Sequence, residues 1–154
     1  MPECGIGLVP DVGGSFMLAL APGRLGEYLG TTASRMNAGD AILAGFADLF
    51  IPQDKWGDLI AAVETDADVG ALDAAAETPP SGVLAGLQDQ IDGLFGGESL
   101  GYILTTLRDD PSDFARDTLR LMERNAPLSM ACFIEMIHRL RGPSLTIRKA
   151  LELE

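Results

Sequence analysis

From residue 84 to the end of the chain, apolar residues recur at the three- and four-residue spacing of amphipathic helices. Residues 84–95 carry one continuous apolar stripe, made by Leu84, Leu87, Ile91, Leu94 and Phe95. The same spacing predicts helices over residues 99–108, 111–125 and 128–141, and a last one that starts near Ser144. Gly96-Gly97 and Gly142-Pro143 interrupt the pattern where helices should end. This half of the chain is therefore predicted to be wholly helical.

The first half of the chain mixes short helical patterns with residues typical of turns. Residues 5–10 should be extended, because proline and glycine resist helix formation. Short helices are predicted over residues 12–21, 24–29, 38–44, 52–64 and 69–76. Asn37 is positioned as the N-cap of the third of these helices. The best strand candidate is Phe46 to Ile51, in which only Asp48 is polar.

These patterns predict a chain that is mostly α with minor β structure. Residues 1–64 hold the turn-rich half with the candidate strand. Residues 65–82 are acidic and rich in alanine, and they end near Pro79-Pro80, which indicates a linker with one short helix. Residues 83–154 form the helical region. No internal repeat occurs at the periods of solenoid proteins.

Composition places the chain among globular proteins. Its 154 residues suit one domain, and 47% of them are hydrophobic. No apolar run reaches the roughly 18 residues of a membrane span, and no basic start precedes an apolar block. Cys4 and Cys132 have no metal-ligand spacing and make no disulfide framework. We therefore expect no metal site, no membrane association and a reducing, cytoplasmic location.

The formal net charge of −12 is concentrated in one part of the chain. Residues 1–98 hold 15 acidic and 3 basic side chains, whereas residues 99–154 hold 8 of each. This charge argues against nucleic acid as a partner, because its binding needs clustered lysine and arginine. The acidic part is also a poor dock for phosphate groups.

The candidate chemistry lies in residues 1–17, where Glu3 and Asp11 stand among glycines and prolines ahead of a helical pattern. A carboxylate held on a rigid apolar turn can serve as an acid or base. Gly13 and Gly14 leave backbone N–H groups bare at a helix start, which favours negative charge. Simpler interpretations remain open: Asp11 caps the helix, and Glu3 is solvated. The only histidine, His138, has no nucleophile beside it and is interpreted as a helix residue without a catalytic role.

Residues 1–14 read Met-Pro-Glu-Cys-Gly-Ile-Gly-Leu-Val-Pro-Asp-Val-Gly-Gly. This block closely resembles the signature of the 3-hydroxyisobutyryl-CoA hydrolases, a branch of the crotonase (enoyl-CoA hydratase/isomerase) superfamily. The resemblance continues, less specifically, through Gly23-Arg-Leu-Gly-Glu-Tyr-Leu29, residues 40–47 and Asn125-Ala-Pro-Leu-Ser129. It therefore spans nearly the whole chain.

The resemblance implies roles for both carboxylates, in catalysis and in substrate binding. Glu3 falls where the superfamily places an active-site glutamate. Asp11 falls where hydratases commonly have glycine and the hydrolase branch has an aspartate, so this position favours thioester hydrolysis over alkene hydration. Cys4 is a departure, since threonine is usual there. It is expected to affect packing without transferring protons.

The resemblance also implies a fold and a reaction. The family fold is a spiral of ββα turns followed by a helical C-terminal region, and this chain corresponds to its middle-to-C-terminal part. The resemblance implies that residues 1–64 are the C-terminal end of the catalytic core and that residues 83–154 are the helical C-terminal region. The implied activity is hydrolysis of 3-hydroxyisobutyryl-CoA in valine breakdown, without a cofactor, since coenzyme A belongs to the substrate. The oxyanion-hole donors would lie in an N-terminal half that this chain lacks. Because both ends look cut, the isolated chain is expected to be inactive.

Two other functions stay open. The parent enzyme could hydrate or isomerise enoyl-CoA, which product analysis would reveal. Alternatively, the helical stretch from Leu84 onward could be a non-catalytic module for self-association or partner binding. The phosphates of coenzyme A would need basic groups, either from C-terminal arginines or from a part of the protein outside this chain. The candidate arginines are Arg116, Arg120, Arg124, Arg139 and Arg141.

Overall fold

The computed structural model describes residues 1–67, 69–143 and 145–154, and within these ranges the chain is almost entirely helical. The α-helices, in chain order, are α1 (Gly14–Leu20), α2 (Leu25–Thr32), α3 (Ala38–Leu43), α4 (Trp56–Asp66), α5 (Gly70–Ala75), α6 (Leu84–Leu94), α7 (Leu100–Asp109), α8 (Asp113–Met122), α9 (Pro127–Leu140) and α10 (Ile147–Leu153). Short 3-10 turns occur at Glu3–Ile6 and Gln53–Lys55. The prediction of a mostly helical chain is confirmed. No helix in the described ranges is long and apolar enough to cross a bilayer.

The helices belong to two compact units. The larger unit combines Met1–Arg35 with Leu84–Glu154, and the smaller one is Met36–Val83. The division predicted from the sequence, with boundaries after residues 64 and 82, refers to regions of a parent enzyme and stays a prediction.

Helix α9 is the central element of the larger unit, and both α1 and α2 pack on it. Its inward face carries Phe133, Ile134 and Ile137, all of them buried. Helix α2 packs so closely that a Cβ at Gly30 would lie 2.2 Å from the Phe133 ring. The helix predicted over residues 24–29 was given too early an end, because Gly30 admits the ring and the helix continues to Thr32.

The predicted helices of the C-terminal half are confirmed, and serine or threonine caps begin three of them. Ser99, Ser112 and Thr146 each accept a hydrogen bond from a backbone N–H in the first turn. Helix α6 buries the predicted stripe at Leu84, Ile91 and Leu94. The predicted start of the last helix near Ser144 lies outside the described residues, and the helix itself begins at Ile147.

In the smaller unit, the predicted cap is confirmed and the predicted strand is wrong. The Asn37 side chain accepts a hydrogen bond from the Asp40 N–H at 2.9 Å and so begins α3. Within the described ranges, the segment Phe46 to Ile51 contributes only an isolated bridge between Phe50 and Glu77. An apolar run forms a strand only when a neighbour supplies a ladder of hydrogen bonds, and here one N–H···O bond of 2.9 Å, from Glu77 to Phe50, is made.

Candidate active site

Glu3 begins a single 3-10 turn that ends at Ile6. The Gly5 N–H donates to the Pro2 carbonyl at 2.9 Å, and Gly7 closes the turn with a φ of +86°. The expectation of an extended segment over residues 5–10 is therefore wrong at its beginning. A glycine that tolerates positive φ allows the chain to turn there. The Leu8 N–H returns to the Glu3 carbonyl at 3.0 Å.

This turn is held from the other end of the chain by the residues that precede α9. The Ala126 N–H donates to the Cys4 carbonyl at 2.8 Å. The Asn125 amide nitrogen donates to the Thr31 carbonyl at 2.7 Å, and a Cβ at Gly5 would lie 3.1 Å from the Asn125 amide oxygen. Asn125 and Ala126 thus support the Glu3 turn. In the sequence, Asn125 and Ala126 were notable only because their segment resembles the family. Nothing in the sequence indicated that they support the Glu3 turn.

The Glu3 carboxylate is half-buried, and its Oε2 atom is buried without a hydrogen-bond partner among the described residues. Buried polar atoms in folded proteins nearly always have a partner, so an orphaned one calls for an explanation. A carboxylate oxygen in this state can accept a hydrogen bond from a group that approaches it, or exchange a proton with that group.

Cys4 is fully buried beside Glu3. Burial, followed by the negative charge of Glu3, raises the pKa of the Cys4 thiol to about 11. The thiol is therefore neutral near pH 7 and cannot act as a nucleophile. This agrees with the expectation that the cysteine affects packing and not proton transfer.

The two cysteines should differ in alkylation. We expect iodoacetamide at pH 8 to label the exposed Cys132 of the folded chain and to spare Cys4. The pKa of the Cys4 thiol is about 11 in the folded chain and 9.0 ordinarily. Between pH 9 and 11 the unfolded chain therefore gives up this proton more readily than the folded chain. The free energy of unfolding should fall as pH rises through this range. Peptide mass spectrometry before and after denaturation checks the labelling. Equal labelling of both cysteines in the folded chain would contradict the placement of Cys4.

Asp11 begins a tight turn in which two residues adopt the left-handed conformation. Val12 has a φ of +54° and Gly13 a φ of +84°, and the Gly14 N–H donates to the Asp11 carbonyl at 2.7 Å. Positive φ at both central positions is the mark of a type I′ turn. The helix predicted from Val12 therefore begins only at Gly14, because its first two residues cannot be helical.

The alternative in which Asp11 caps α1 is wrong. Gly13 occupies the N-cap position, and α1 has no side-chain cap from that residue. The Asp11 carboxylate is exposed and has no hydrogen bond or ion pair to any described residue. It is therefore available for chemistry.

The first N–H groups of α1 are instead bound by Glu154, which follows α10. One oxygen of Glu154 accepts from the Gly13 N–H at 3.0 Å, and the other accepts from the Ser15 N–H at 3.2 Å. The Ser15 hydroxyl donates to the same carboxylate. Sequence reasoning missed Glu154, because a cap supplied from 139 to 141 positions away leaves no local signal.

Glu3 and Asp11 thus stand at the two ends of one short loop and differ in environment. No hydrogen bond joins the two side chains within the described part of the chain. One is half-buried with an orphaned oxygen, and the other is exposed. That both act on the same scissile bond stays a prediction.

Comparison with known proteins identifies the family. A model described as "Enoyl-CoA hydratase/isomerase" matches residues 1–154. The chain belongs to this family. The resemblance inferred from residues 1–14 is thereby confirmed.

Similar proteins of the enoyl-CoA hydratase/isomerase family include both hydrolases and hydratases. The mitochondrial 3-hydroxyisobutyryl-CoA hydrolase of Xenopus tropicalis is 36% identical over 168 residues, which cover all of this chain and 42% of that protein. An enoyl-CoA hydratase structure from Rhodobacter sphaeroides 2.4.1 has a TM-score of 0.87 and 50% identity, over 98% of this chain and 43% of that one. A carnitinyl-CoA dehydratase from Mycobacterium thermoresistibile has a TM-score of 0.90 and 34% identity, over 98% and 44%. The chain spans about two fifths of the length of the curated relatives it matches.

A second polar cluster of this family member surrounds Glu27, which is fully buried. Arg24 and Arg141 donate to its two carboxylate oxygens at 2.8 and 2.7 Å. His138 lies 3.5 Å from Glu27 through its Nε2 atom, which has no hydrogen-bond partner among the described residues. These contacts join α2 to the end of α9. We interpret the cluster as structural, in line with the non-catalytic interpretation of His138.

Four of the five arginines considered for the phosphates of coenzyme A already pair with carboxylates. The pairs are Arg116–Asp113, Arg120–Asp117, Arg139–Glu135 and Arg141–Glu27. Three of these pairs, Arg116–Asp113, Arg120–Asp117 and Arg139–Glu135, are exposed. Each of the three lies within a single helix and can rearrange easily. Among the described residues, no three His, Cys, Asp or Glu side chains lie close enough together to hold a metal ion.

Proposed function

We propose that this chain is part of a longer acyl-CoA thioester hydrolase that acts on 3-hydroxyisobutyryl-CoA in valine breakdown. Relatives with that name match the whole chain at up to 36% identity. The aspartate at position 11, where hydratases commonly carry glycine, favours hydrolysis. The observation that carries the proposal is the buried, unpartnered Oε2 of Glu3 on the same loop as the exposed Asp11.

Two assignments of roles fit this arrangement. In the first, the Asp11 carboxylate attacks the thioester carbonyl, the C–S bond breaks, and the departing sulfur takes a proton from Glu3. Water then hydrolyses the acyl-aspartyl anhydride and returns a proton to Glu3. In the second, Asp11 takes a proton from an attacking water molecule and passes it to the sulfur, while Glu3 binds the hydroxyl group of the substrate.

The remaining catalytic groups are proposed to lie outside this chain. In the family, the backbone N–H groups that stabilise the tetrahedral oxyanion belong to the N-terminal half of the fold. Losing one such donor typically costs about two to three orders of magnitude in rate. We therefore expect the isolated 154 residues to be inactive. Since the chain has 23 acidic and 11 basic side chains, basic groups for the phosphates of coenzyme A are also expected from elsewhere.

The other parts of the proposal concern cofactor, compartment and partners. We propose that no cofactor is needed, since coenzyme A belongs to the substrate. A cytoplasmic location stays a proposal, and the Xenopus relative is named as a mitochondrial protein. Both cysteines are free, which suits a reducing compartment.

Self-association through residues 83–154 also stays a prediction, which light scattering would test.

An assay of the products tests the proposed reaction. The protein extended through its upstream catalytic half would be incubated with 3-hydroxyisobutyryl-CoA and, separately, with crotonyl-CoA. We expect release of free thiol from the first substrate and little hydration of the second.

The runner-up activity, enoyl-CoA hydration, is favoured by the 50% identity to the Rhodobacter structure. Rapid formation of 3-hydroxybutyryl-CoA without thiol release would establish that activity instead.

A further inference from the structure

The turn that carries Asp11 contains an unfavourable backbone conformation. Val12 is β-branched and has a φ of +54°, a region that such residues rarely occupy. Its side chain is 89% exposed, so buried contacts of its own do not compensate for this conformation. A conformation of this kind persists only when the surrounding structure imposes it.

Helix α10 and the residue that follows it impose this conformation through two contacts. The Glu154 carboxylate binds the N–H groups of Gly13 and Ser15 on the far side of the turn. The Ile147 side chain packs over Gly13, where a Cβ would lie 2.9 Å from the Ile147 Cδ1 atom. The helix is fixed in turn, because Ala150 is buried and the Lys149 ammonium donates to the Arg139 carbonyl at 3.0 Å.

The same contacts determine what Asp11 can do. An aspartate just before a helix commonly folds back to cap the first N–H groups. Here Glu154 already binds the Gly13 and Ser15 N–H groups. The Asp11 side chain therefore extends into solvent, while its carbonyl holds the turn through the Gly14 N–H at 2.7 Å.

We propose that Glu154 is a positioning residue for Asp11: it binds the Gly13 N–H group, which the Asp11 side chain could otherwise cap, and it holds the Val12–Gly13 turn in its left-handed conformation. This inference rests on the proposed function, since it assumes that Asp11 takes part in the reaction. Glu154 itself touches neither substrate nor the reacting atoms in this role.

Kinetics of the extended protein test the proposal, with Glu154→Ala as the variant and Glu152→Ala as its control. Glu152 is exposed near the end of α10, two positions before Glu154. We expect Glu154→Ala to lower kcat by about ten- to a hundredfold with KM changed less than about twofold, because small displacements of a reacting group cost rate more than binding. Glu152→Ala should leave both constants unchanged. An unaltered kcat in Glu154→Ala would overturn the proposal.

A second substitution separates positioning from general loss of structure. Val12→Asn places before Gly13 a residue that accepts the left-handed conformation, and this pair favours type I′ turns. We expect the effect of Glu154→Ala on kcat to shrink at least severalfold in the Val12→Asn background. If the effect is equally large in both backgrounds, Glu154 does not act through the turn.

Amide hydrogen exchange provides a readout that does not depend on activity. Glu154→Ala should accelerate exchange at Gly13 and Ser15 by about tenfold or more, whereas exchange in the centre of α9 should stay unchanged. Unchanged exchange at the two amides would show that Glu154 does not hold the turn, even if kcat fell. A wild-type protein without thioesterase activity would refute the proposed function, and the exchange rates would still decide whether Glu154 holds the turn.

Discussion

Asp11→Asn is expected to lower kcat/KM of the extended protein for 3-hydroxyisobutyryl-CoA by about two to four orders of magnitude. The amide keeps the size of the carboxylate but can neither attack the thioester nor accept a proton from water. Since Asp11 is exposed and bonds through its backbone carbonyl, the substitution should leave the fold intact. Steady-state kinetics and a thermal unfolding curve of the same preparation separate the two effects.

Glu3→Gln should produce a loss of similar size. In the proposed reaction, the orphaned Oε2 of Glu3 would exchange a proton or bind the substrate's hydroxyl group. Asp117→Asn, in an exposed acid of α8, serves as the control and should leave turnover unchanged. Full turnover in both Glu3→Gln and Asp11→Asn would remove the chemical basis of the assignment.

The second large effect concerns stability. Glu27→Gln is expected to lower the free energy of unfolding of this chain by about 3 kcal/mol. The uncharged amide would present an NH₂ group to guanidinium donors and leave Arg24 and Arg141 without their partner. The expected value lies at the low end of the range for broken buried pairs, because these arginines are 33% and 26% exposed and can turn toward water. Such a loss corresponds to a drop in Tm of about 6–12 °C for a chain of this size.

The matched control is again Asp117→Asn, which also replaces an acid by its amide next to an arginine. The Asp117–Arg120 pair is about 70% exposed on both sides and should contribute at most about 0.5 kcal/mol. Circular dichroism melts of the three proteins decide the matter. Similar Tm values for Glu27→Gln and Asp117→Asn would show that the buried cluster contributes little.

The helices were predictable from the sequence wherever a long apolar stripe or a capping residue marked them. Leu84, Ile91 and Leu94 define α6 through their spacing alone, and Asn37 begins α3 as expected. The spacing of Phe46 to Ile51 was misleading, because strand formation depends on a partner that local sequence does not reveal. Helix α2 continues past Gly30 for a comparable reason. This glycine makes room for the Phe133 ring, which lies on another helix and is not evident from the local sequence.

The candidate site was predictable only in part. Glu3 and Asp11 stand out in the sequence, because carboxylates among glycines and prolines form a recognisable block. The residues that support their turns do not, since Ala126 and Glu154 bind these turns from more than a hundred positions away, and Asn125 binds Thr31 from 94 positions away. Hydrogen bonds over that separation depend on the packing of α9 and α10, which no local pattern encodes.

The dependence of the first turns on the last helix has a consequence for biosynthesis. Both candidate acids leave the ribosome at the beginning of this segment, but the Val12–Gly13 turn is not held until Glu154 has followed. A nascent chain arrested before that point would carry Asp11 on a turn that nothing yet holds. The turn that carries Asp11 would therefore form only after residue 154 is made, although Asp11 itself is made much earlier.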